Sequence, residues 1–374
     1  MQESALYNYK IFDFSFSLAS DSADALRLFD LVYKNFRQKN GKTSAPTFEV
    51  VIQTKEGEAP YFKSEGRVYP FHSFSPVESQ VFKLVTDELY RRVESHFLIH
   101  GGGVCFQNKG VIVSGESGTG KTSLIVNLLT RGFQFLSDEV VPINRKTGMM
   151  EPFPRAVGLR TEARFLLKEG FDLFGKEKFN DSSGHKYFVN PSFLSPEKIG
   201  GPSLPLYFLY LAKPKSSPEC KTIIHMVIES RGKEFISLLK RIKGLRILQS
   251  IQRKNDMYLK IEIPRKAAVM KEYLEGHEKF KRYIIHSERK KEEGITFDQK
   301  PRMTPLHLHD MSLLLMKQLK DEIIEHKLRG EKFKSVGSFW LYLVEALGLD
   351  RVKGYKIHVG RFEETTQLIQ ELVR

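Results

Sequence analysis

The chain has 374 residues, 41% of them hydrophobic and 28% charged, ordinary values for a globular protein that argue against disorder as the default and leave room for two domains or one large domain with an appended one. No apolar run approaches the roughly 18 residues of a membrane span, and the first residues lack a basic-then-apolar signal, so a cytoplasmic protein without a membrane partner follows by elimination. The net charge of +14 attracts anions, yet no nucleic-acid motif or stacking-aromatic module accompanies it, so it reads as a basic surface near an anionic substrate.

Residues 1–90 read as a small α+β module. The broadly alternating stretch Tyr9-Lys10-Ile11-Phe12-Asp13-Phe14-Ser15-Phe16 predicts one strand. An amphipathic helix is expected over residues 22–36, with acids early and bases late. Residues 48–53 and 67–71 predict short strands, and Ser75, Pro76 and Glu78 open a helix to about Ser95. Residues 91–215 change texture. Strands at 97–100 and 104–106 are joined by Gly101, Gly102 and Gly103, and a buried strand occupies 110–114. A helix spans 121–130, stops at Gly132, and leads to a strand at 133–136. Cys105 lies in an apolar stretch and reads as a buried structural thiol; with Cys220 as the one other cysteine, a disulfide framework is excluded. A core strand covers 206–211. Residues 216–374 form a C-terminal α/β region. Much of the positive charge lies there, residues 279–293 read as a mixed solvated surface, and the strand at 355–359 and helix at 361–373 are expected to return to the core.

Gly115-Glu116-Ser117-Gly118-Thr119-Gly120-Lys121-Thr122 fits the GxxxxGK[ST] phosphate-loop pattern in full, between a buried strand and an amphipathic helix as that pattern requires. Glycines let backbone N–H groups turn inward around phosphates, and the helix after them aims its positive end at the same anion. Lys121 reaches the outer phosphates, and the Thr122 hydroxyl can ligate Mg²⁺. The strand at 133–136 ends in Asp138 and Glu139. In a kinase one carboxylate holds the metal and another takes the proton of the attacking hydroxyl. Adjacent strand residues face opposite ways, so the two roles divide unless the strand has ended.

At these residues the sequence resembles the catalytic domain of HPr kinase/phosphorylase, whose nucleotide fold is similar to that of phosphoenolpyruvate carboxykinase. The likeness runs from His100-Gly101 through the phosphate loop and Gly132 to Asp138-Glu139. It implies an α/β fold with a phosphate-loop mixed-sheet core, ATP and Mg²⁺ as cofactors, Lys121 on the phosphates, Thr122 and Asp138 at the metal, Glu139 as proton acceptor and His100 as an active-site histidine. Downstream, Arg155 fills the family's arginine position. Phe153 stands where the family has a metal-binding glutamate, with Glu151 nearby as a substitute. The Pro154-Arg155-x-x-Gly158-Leu159-Arg160 version looks like diverged members that include kinases of lasso-peptide precursors, and there Arg160 and Lys186 are candidate phosphate contacts. The sequence departs from the family in its glutamate at 139, its first 90 residues and its basic segment at 213–335.

The expected function is transfer of the γ-phosphoryl group of ATP to a serine hydroxyl of a peptide or protein, an acidic segment suiting the basic surface. The alternatives are a small-molecule hydroxyl such as free serine, or a nucleotide-gated binding or assembly protein. The resembled family forms oligomers, which leaves a homo-oligomer open. His307 and His309 form a weak candidate metal pair, and Trp340 reads as a helix packing residue.

Overall fold

The computed structural model describes residues 5–38, 46–53, 59–71, 76–160, 178–181, 184–189, 191, 199–213, 220–229, 233–240, 245–252, 256–263, 284–293, 297, 299–319 and 335–374. Met1–Ala212 with Lys300–Arg374 make one compact unit, and Lys213–Gln299 make a second.

The alternation around Tyr9 and Phe16 is one hairpin and not the single strand expected. β1 (Ala5–Ile11) turns back into antiparallel β2 (Phe14–Ser20). The reversal lies at Phe12, whose φ is 55°, and at Asp13. The Asp13 carboxylate accepts from the backbone N–H groups of Glu94 and Ser95 and from the Ser95 hydroxyl, the last at 2.7 Å. The trace of this turn in the sequence is a shift of the apolar alternation from Tyr9 and Ile11 to Phe14 and Phe16, while the three long-range hydrogen bonds that hold it leave none. Helix α1 (Ala23–Tyr33) crosses over to parallel β3 (Thr47–Val51), and β4 (Tyr61–Ser64) and β5 (Arg67–Pro70) complete a sheet ordered β1-β2-β3-β4-β5. Helix α2 (Val77–Arg92) packs on α1, and Pro76 takes the N-cap position, without a side-chain cap, instead of opening the first turn; Ser75 lies outside the described residues. Tyr9, Phe16, Phe29, Tyr33, Phe48 and Phe62 are all fully buried, each such ring stabilising the fold by about 1.5–3 kcal/mol. This apolar cluster continues into Leu98, Val140, Phe153 and Ala156, so the module shares a core with the strands after residue 95.

Strands β6 (His96–His100), β7 (Gly102–Phe106) and β8 (Lys109–Gly115) come next, then α3 (Lys121–Thr130), β9 (Gln134–Ser137) and β10 (Val140–Asn144). β6 and β10 pair apart from the rest. β11 (Val157–Arg160), β12 (Lys178–Asp181) and β13 (Gly184–Val189) form a small antiparallel sheet ordered β11-β13-β12. β14 (Leu204–Ala212) lies parallel beside β8.

In the second unit, β15 (Cys220–Glu229), α4 (Lys233–Lys240), β16 (Arg246–Gln252), β17 (Asp256–Ile263) and β18 (Ile284–Glu293) form an antiparallel sheet ordered β16-β17-β15-β18 with a helix. Its own core includes Met226, Ile228, Phe235, Leu239, Leu259 and Ile261.

The chain then returns through β19 (Arg302–Leu306), α5 (Leu308–Gln318), α6 (Val336–Ala346), β20 (Lys353–His358) and α7 (Phe362–Val373). The main sheet is mixed and six-stranded, ordered β19-β20-β14-β8-β7-β9. Strands β8, β14 and β20 run parallel at its centre. Alternate residues of β8 serve opposite layers, as a pleated strand must. Val111 and Val113 face α3 and α7 with Leu209 and Ile369, whereas Ile112 faces α5 and α6 with Met311 and Leu343. The architecture is thus α/β with mixed sheets, and its three parallel strands end together beside residue 115.

Candidate functional site

Strand β8 ends at Gly115, where the chain presses against β14. A Cβ on this residue would collide with the Leu211 carbonyl oxygen, and its φ of 140° is one that side chains rarely adopt. Only glycine fits. The next N–H, of Glu116, donates to that Leu211 carbonyl at 3.0 Å and pins the loop to β14. Thr119 closes the turn, its hydroxyl donating to the Glu116 carbonyl at 2.8 Å. Ser117 and Gly118 form the crest, and Gly120 in left-handed backbone starts α3 without a side-chain cap. No side chain thus caps the start of this helix, the end at which helices favour anions. The Lys121 ammonium folds across the loop, donating to the carbonyls of Gly115 at 2.9 Å and Glu116 at 3.1 Å.

At the start of that helix, the Thr122 hydroxyl donates to Asp138 Oδ1 at 3.1 Å. Asp138 comes directly after β9 and is buried at 5% exposure. Burial pushes its carboxyl up to about 6, and the charge of Glu139 adds to this; Arg155, Thr122 and the Glu139 N–H act the other way. Glu139 has a φ of 73°, at a cost on the order of 1 kcal/mol for a non-glycine residue. The strand has ended here, and the left-handed step separates a buried carboxylate from a half-exposed one. The Glu139 carbonyl accepts from the Gly101 N–H and from His100 Nδ1, each at 3.1 Å, which holds this conformation. His100 Nδ1 also lies 3.6 Å from Glu139 Oε1. The His100 carbonyl in turn accepts from the buried Ser114 hydroxyl at 2.7 Å, which ties β6 to β8.

Arg155 approaches from the other side. The Phe153 N–H donates to the Leu136 carbonyl at 2.6 Å, bringing this segment alongside β9. The Arg155 side chain is buried, and its Nη1 donates to the hydroxyls of Tyr33 at 3.3 Å and Tyr90 at 3.0 Å. Burial opposes its charge, but Tyr33, Tyr90, Glu139 and Asp138 outweigh that, and the guanidinium is held above its ordinary range. It stays a cation beside the two acids.

The structure therefore brings together Lys121, Thr122, Asp138, Glu139, His100 and Arg155. Glu151, the suggested substitute for a metal-binding glutamate, is engaged elsewhere: it meets His96 Nε2 at 3.0 Å and accepts from Asn144 Nδ2 at 2.8 Å. Arg160 and Lys186 are register partners across β11 and β13, while their side chains lie outside the described residues. His307 precedes α5, and His309 meets the Trp340 ring edge-on at 6.2 Å. Tyr33 and Tyr90 carry no motif; their signal is the spacing that turns α1 and α2 toward one core.

The donor set fits a hard cation. Among the described residues no three His, Cys, Asp or Glu side chains gather into a metal cage. Thr122 and Asp138 instead offer two kinds of oxygen at the head of an anion-binding loop, the arrangement in which Mg²⁺ keeps its waters and phosphate oxygens as remaining ligands. No helix among the described residues is long and apolar enough to cross a membrane.

No family model matches the chain. Two stretches of curated proteins are similar to it. One is the HPr kinase/phosphorylase of Chlorobium limicola, 32% identical over 77 residues, covering 21% of this chain and 23% of the relative. The other is the HPr kinase/phosphorylase of Chlorobium phaeobacteroides, 38% identical over 63 residues, or 17% of this chain and 19% of the relative. The matches thus span less than a quarter of those relatives' length. A solved structure of the Hpr(Ser) kinase/phosphatase from Coxiella burnetii overlaps 33% of this chain and 69% of its own at 17% identity, with a TM-score of 0.21; a likeness that loose carries no weight for the fold.

Proposed function

We propose that this chain is an ATP- and Mg²⁺-dependent kinase of the HPr-kinase-like type, of the diverged branch that tailors peptides, phosphorylating a serine hydroxyl of a peptide or protein. The observation that carries the reading is the contact between Thr122 and Asp138 at the mouth of the Gly115–Thr122 loop, a hydroxyl and a buried carboxylate 3.1 Å apart. A loop that merely bound an anion would have no use for a buried acid so close to it.

In this reading the N–H groups of residues 117–121 and the Lys121 ammonium hold the phosphates of ATP. Thr122 and Asp138 hold the metal, which when bound neutralises charge on the phosphate oxygens. Glu139 lies on the exposed side and takes the proton of the acceptor hydroxyl. The acceptor oxygen bonds to the γ-phosphorus as the bond from that phosphorus to the ADP oxygen breaks. His100 orients Glu139 through its carbonyl, and Arg155 offsets charge on the transferred group. Positioning and fixed charge supply most of the acceleration in such a transfer. The basic surface favours an acidic segment around the acceptor serine.

The test is transfer from γ-labelled ATP with Mg²⁺ to acidic serine peptides and to free serine, with Lys121→Ala as control. Label on a peptide serine that vanishes with the control is the expected result. Label on free serine alone makes the acceptor a small molecule. ATP binding with no label on either acceptor overturns the kinase reading in favour of a nucleotide-gated binding protein.

A further inference from the structure

We propose that Tyr33 and Tyr90 of the N-terminal module are positioning residues, which aim one edge of the Arg155 guanidinium at the phosphoryl group in transfer. This role rests on the kinase reading and deepens it.

A guanidinium is a fork. Arginine grips an oxyanion best in pairs of parallel N–H bonds, and Nε with Nη2 form one such edge. In Arg155, Nη1 is consumed by the two phenols. Its Nε is buried and has no hydrogen-bond partner among the described residues. No ion pair to Asp138 or Glu139 is formed, although both acids lie close enough to act on its charge. A purely structural buried arginine would be paired with a carboxylate, since an unsatisfied buried donor is costly. Here two carboxylates are within electrostatic reach, and the partners chosen are neutral hydroxyls.

Neutral partners fix direction without cancelling charge. The Tyr33 and Tyr90 hydroxyls lie 3.3 Å apart, and the Thr86 hydroxyl lies 3.4 Å from that of Tyr33, so the phenols are themselves braced. The guanidinium carbon stands 5.5 Å from the Tyr33 ring centroid and 5.8 Å from that of Phe82, close enough for cation–π attraction. Both tyrosines are buried, and burial holds the Tyr90 phenol well above its ordinary range, so it remains a neutral partner. These residues come from α1 and α2, whereas the arginine comes after β10. The module before residue 91 thus completes the site, whatever else it recognises.

The test compares ADP with ADP plus fluoroaluminate, a mimic of the phosphoryl group in flight, both with Mg²⁺, by calorimetry on the full chain. Wild type is expected to bind the mimic complex more tightly than ADP. The double variant Tyr33→Phe/Tyr90→Phe keeps both rings and should hold ADP within about twofold, while losing about tenfold of the extra affinity for the mimic. In turnover, kcat should fall by about tenfold with KM for ATP unchanged. As a check that does not depend on how the double variant folds, transfer by Arg155→Ala should be rescued by added guanidinium, and less so when Tyr90→Phe is also present. A double variant that keeps the full gain on fluoroaluminate, or guanidinium rescue indifferent to Tyr90, overturns the positioning role and leaves the kinase reading standing. Wild type that binds ADP but gains nothing from fluoroaluminate overturns both.

Discussion

The two walls of the site are built by opposite means. The loop wall is local: strand β8, residues 115–120 and helix α3 succeed one another, and the acid across from them is Asp138, sixteen residues from Thr122. Its parts are mostly backbone, with N–H groups, a helix end and carbonyls that hold Lys121. The Arg155 wall is assembled from afar, with Tyr90 65 residues away and Tyr33 122 residues away in sequence, and its parts are side chains. A local wall can be written as a motif, since spacing and residue type are its geometry. A distant wall cannot, because it exists only once helices α1 and α2 have packed on the segment after β10.

Substitutions put that difference to the test. The largest effect is expected where the walls meet. Glu139→Gln keeps size and backbone but removes the proposed proton acceptor, so transfer should fall by at least ~10² with nucleotide affinity preserved. Retained turnover in a labelled-phosphate assay would remove Glu139 from the base role. Gly115→Ala strikes the local wall: a methyl group driven into the Leu211 carbonyl forces β8 and β14 apart. Stability should drop by more than ~2 kcal/mol in denaturant unfolding, with nucleotide binding lost as well. Full ADP affinity in that variant would show that the loop does not depend on its seat against β14.

Asp138 gives a pH signature. Its folded carboxyl lies at about 6 against an ordinary value of 3.8, so the folded chain favours the protonated acid. The associated stability is fully present below pH ~4 and lost as pH rises through ~6, on the order of 3 kcal/mol for that shift. Asp138→Asn should therefore raise the melting temperature of the ligand-free chain at pH 7–8, with the gain disappearing below pH ~4. A gain equal at all pH values would mean that burial of the charge is not the cause. The smallest effect is expected at Glu151. Because its carboxylate serves His96 and Asn144, Glu151→Gln should cost about 1 kcal/mol of stability and leave Mg²⁺–ATP affinity within twofold. A large loss of metal affinity would return it to the site.

The same difference explains which features are legible in the sequence. Helix 121–130 and the strands on either side of it can be read from Gly115, Gly120 and Gly132, because backbone sterics act on neighbours. That two acids close a strand can be read from the sequence, but not which of them is buried, nor the left-handed backbone at Glu139; that is held by Gly101 and His100, which lie nearly forty residues earlier. The N-terminal hairpin is hidden for a like reason. Phe12 and Asp13 only shift the apolar alternation from odd to even positions, and the reversal depends on Glu94 and Ser95. Arg155 is marked by its place in a family pattern, yet its phenolic seat is not, since neither tyrosine stands in any motif.

The insertion of residues 213–299 also bears on how this chain was put together. β14 ends at Ala212 and β19 begins at Arg302, and both residues sit in register with His358 on the strand between them. The two mouths of the insert are therefore two strand spacings apart, about 10 Å. The insert carries 21 Lys and Arg against 12 Asp and Glu, a net +9 of the chain's +14. The entropic cost of closing such an insert grows only slowly with its length, by about 0.6 kcal/mol per doubling. An insert with adjacent ends is open to exchange, and replacing residues 213–299 by a short neutral linker is expected to take the chain's net charge down by 9 while leaving β14, β20 and β19 paired.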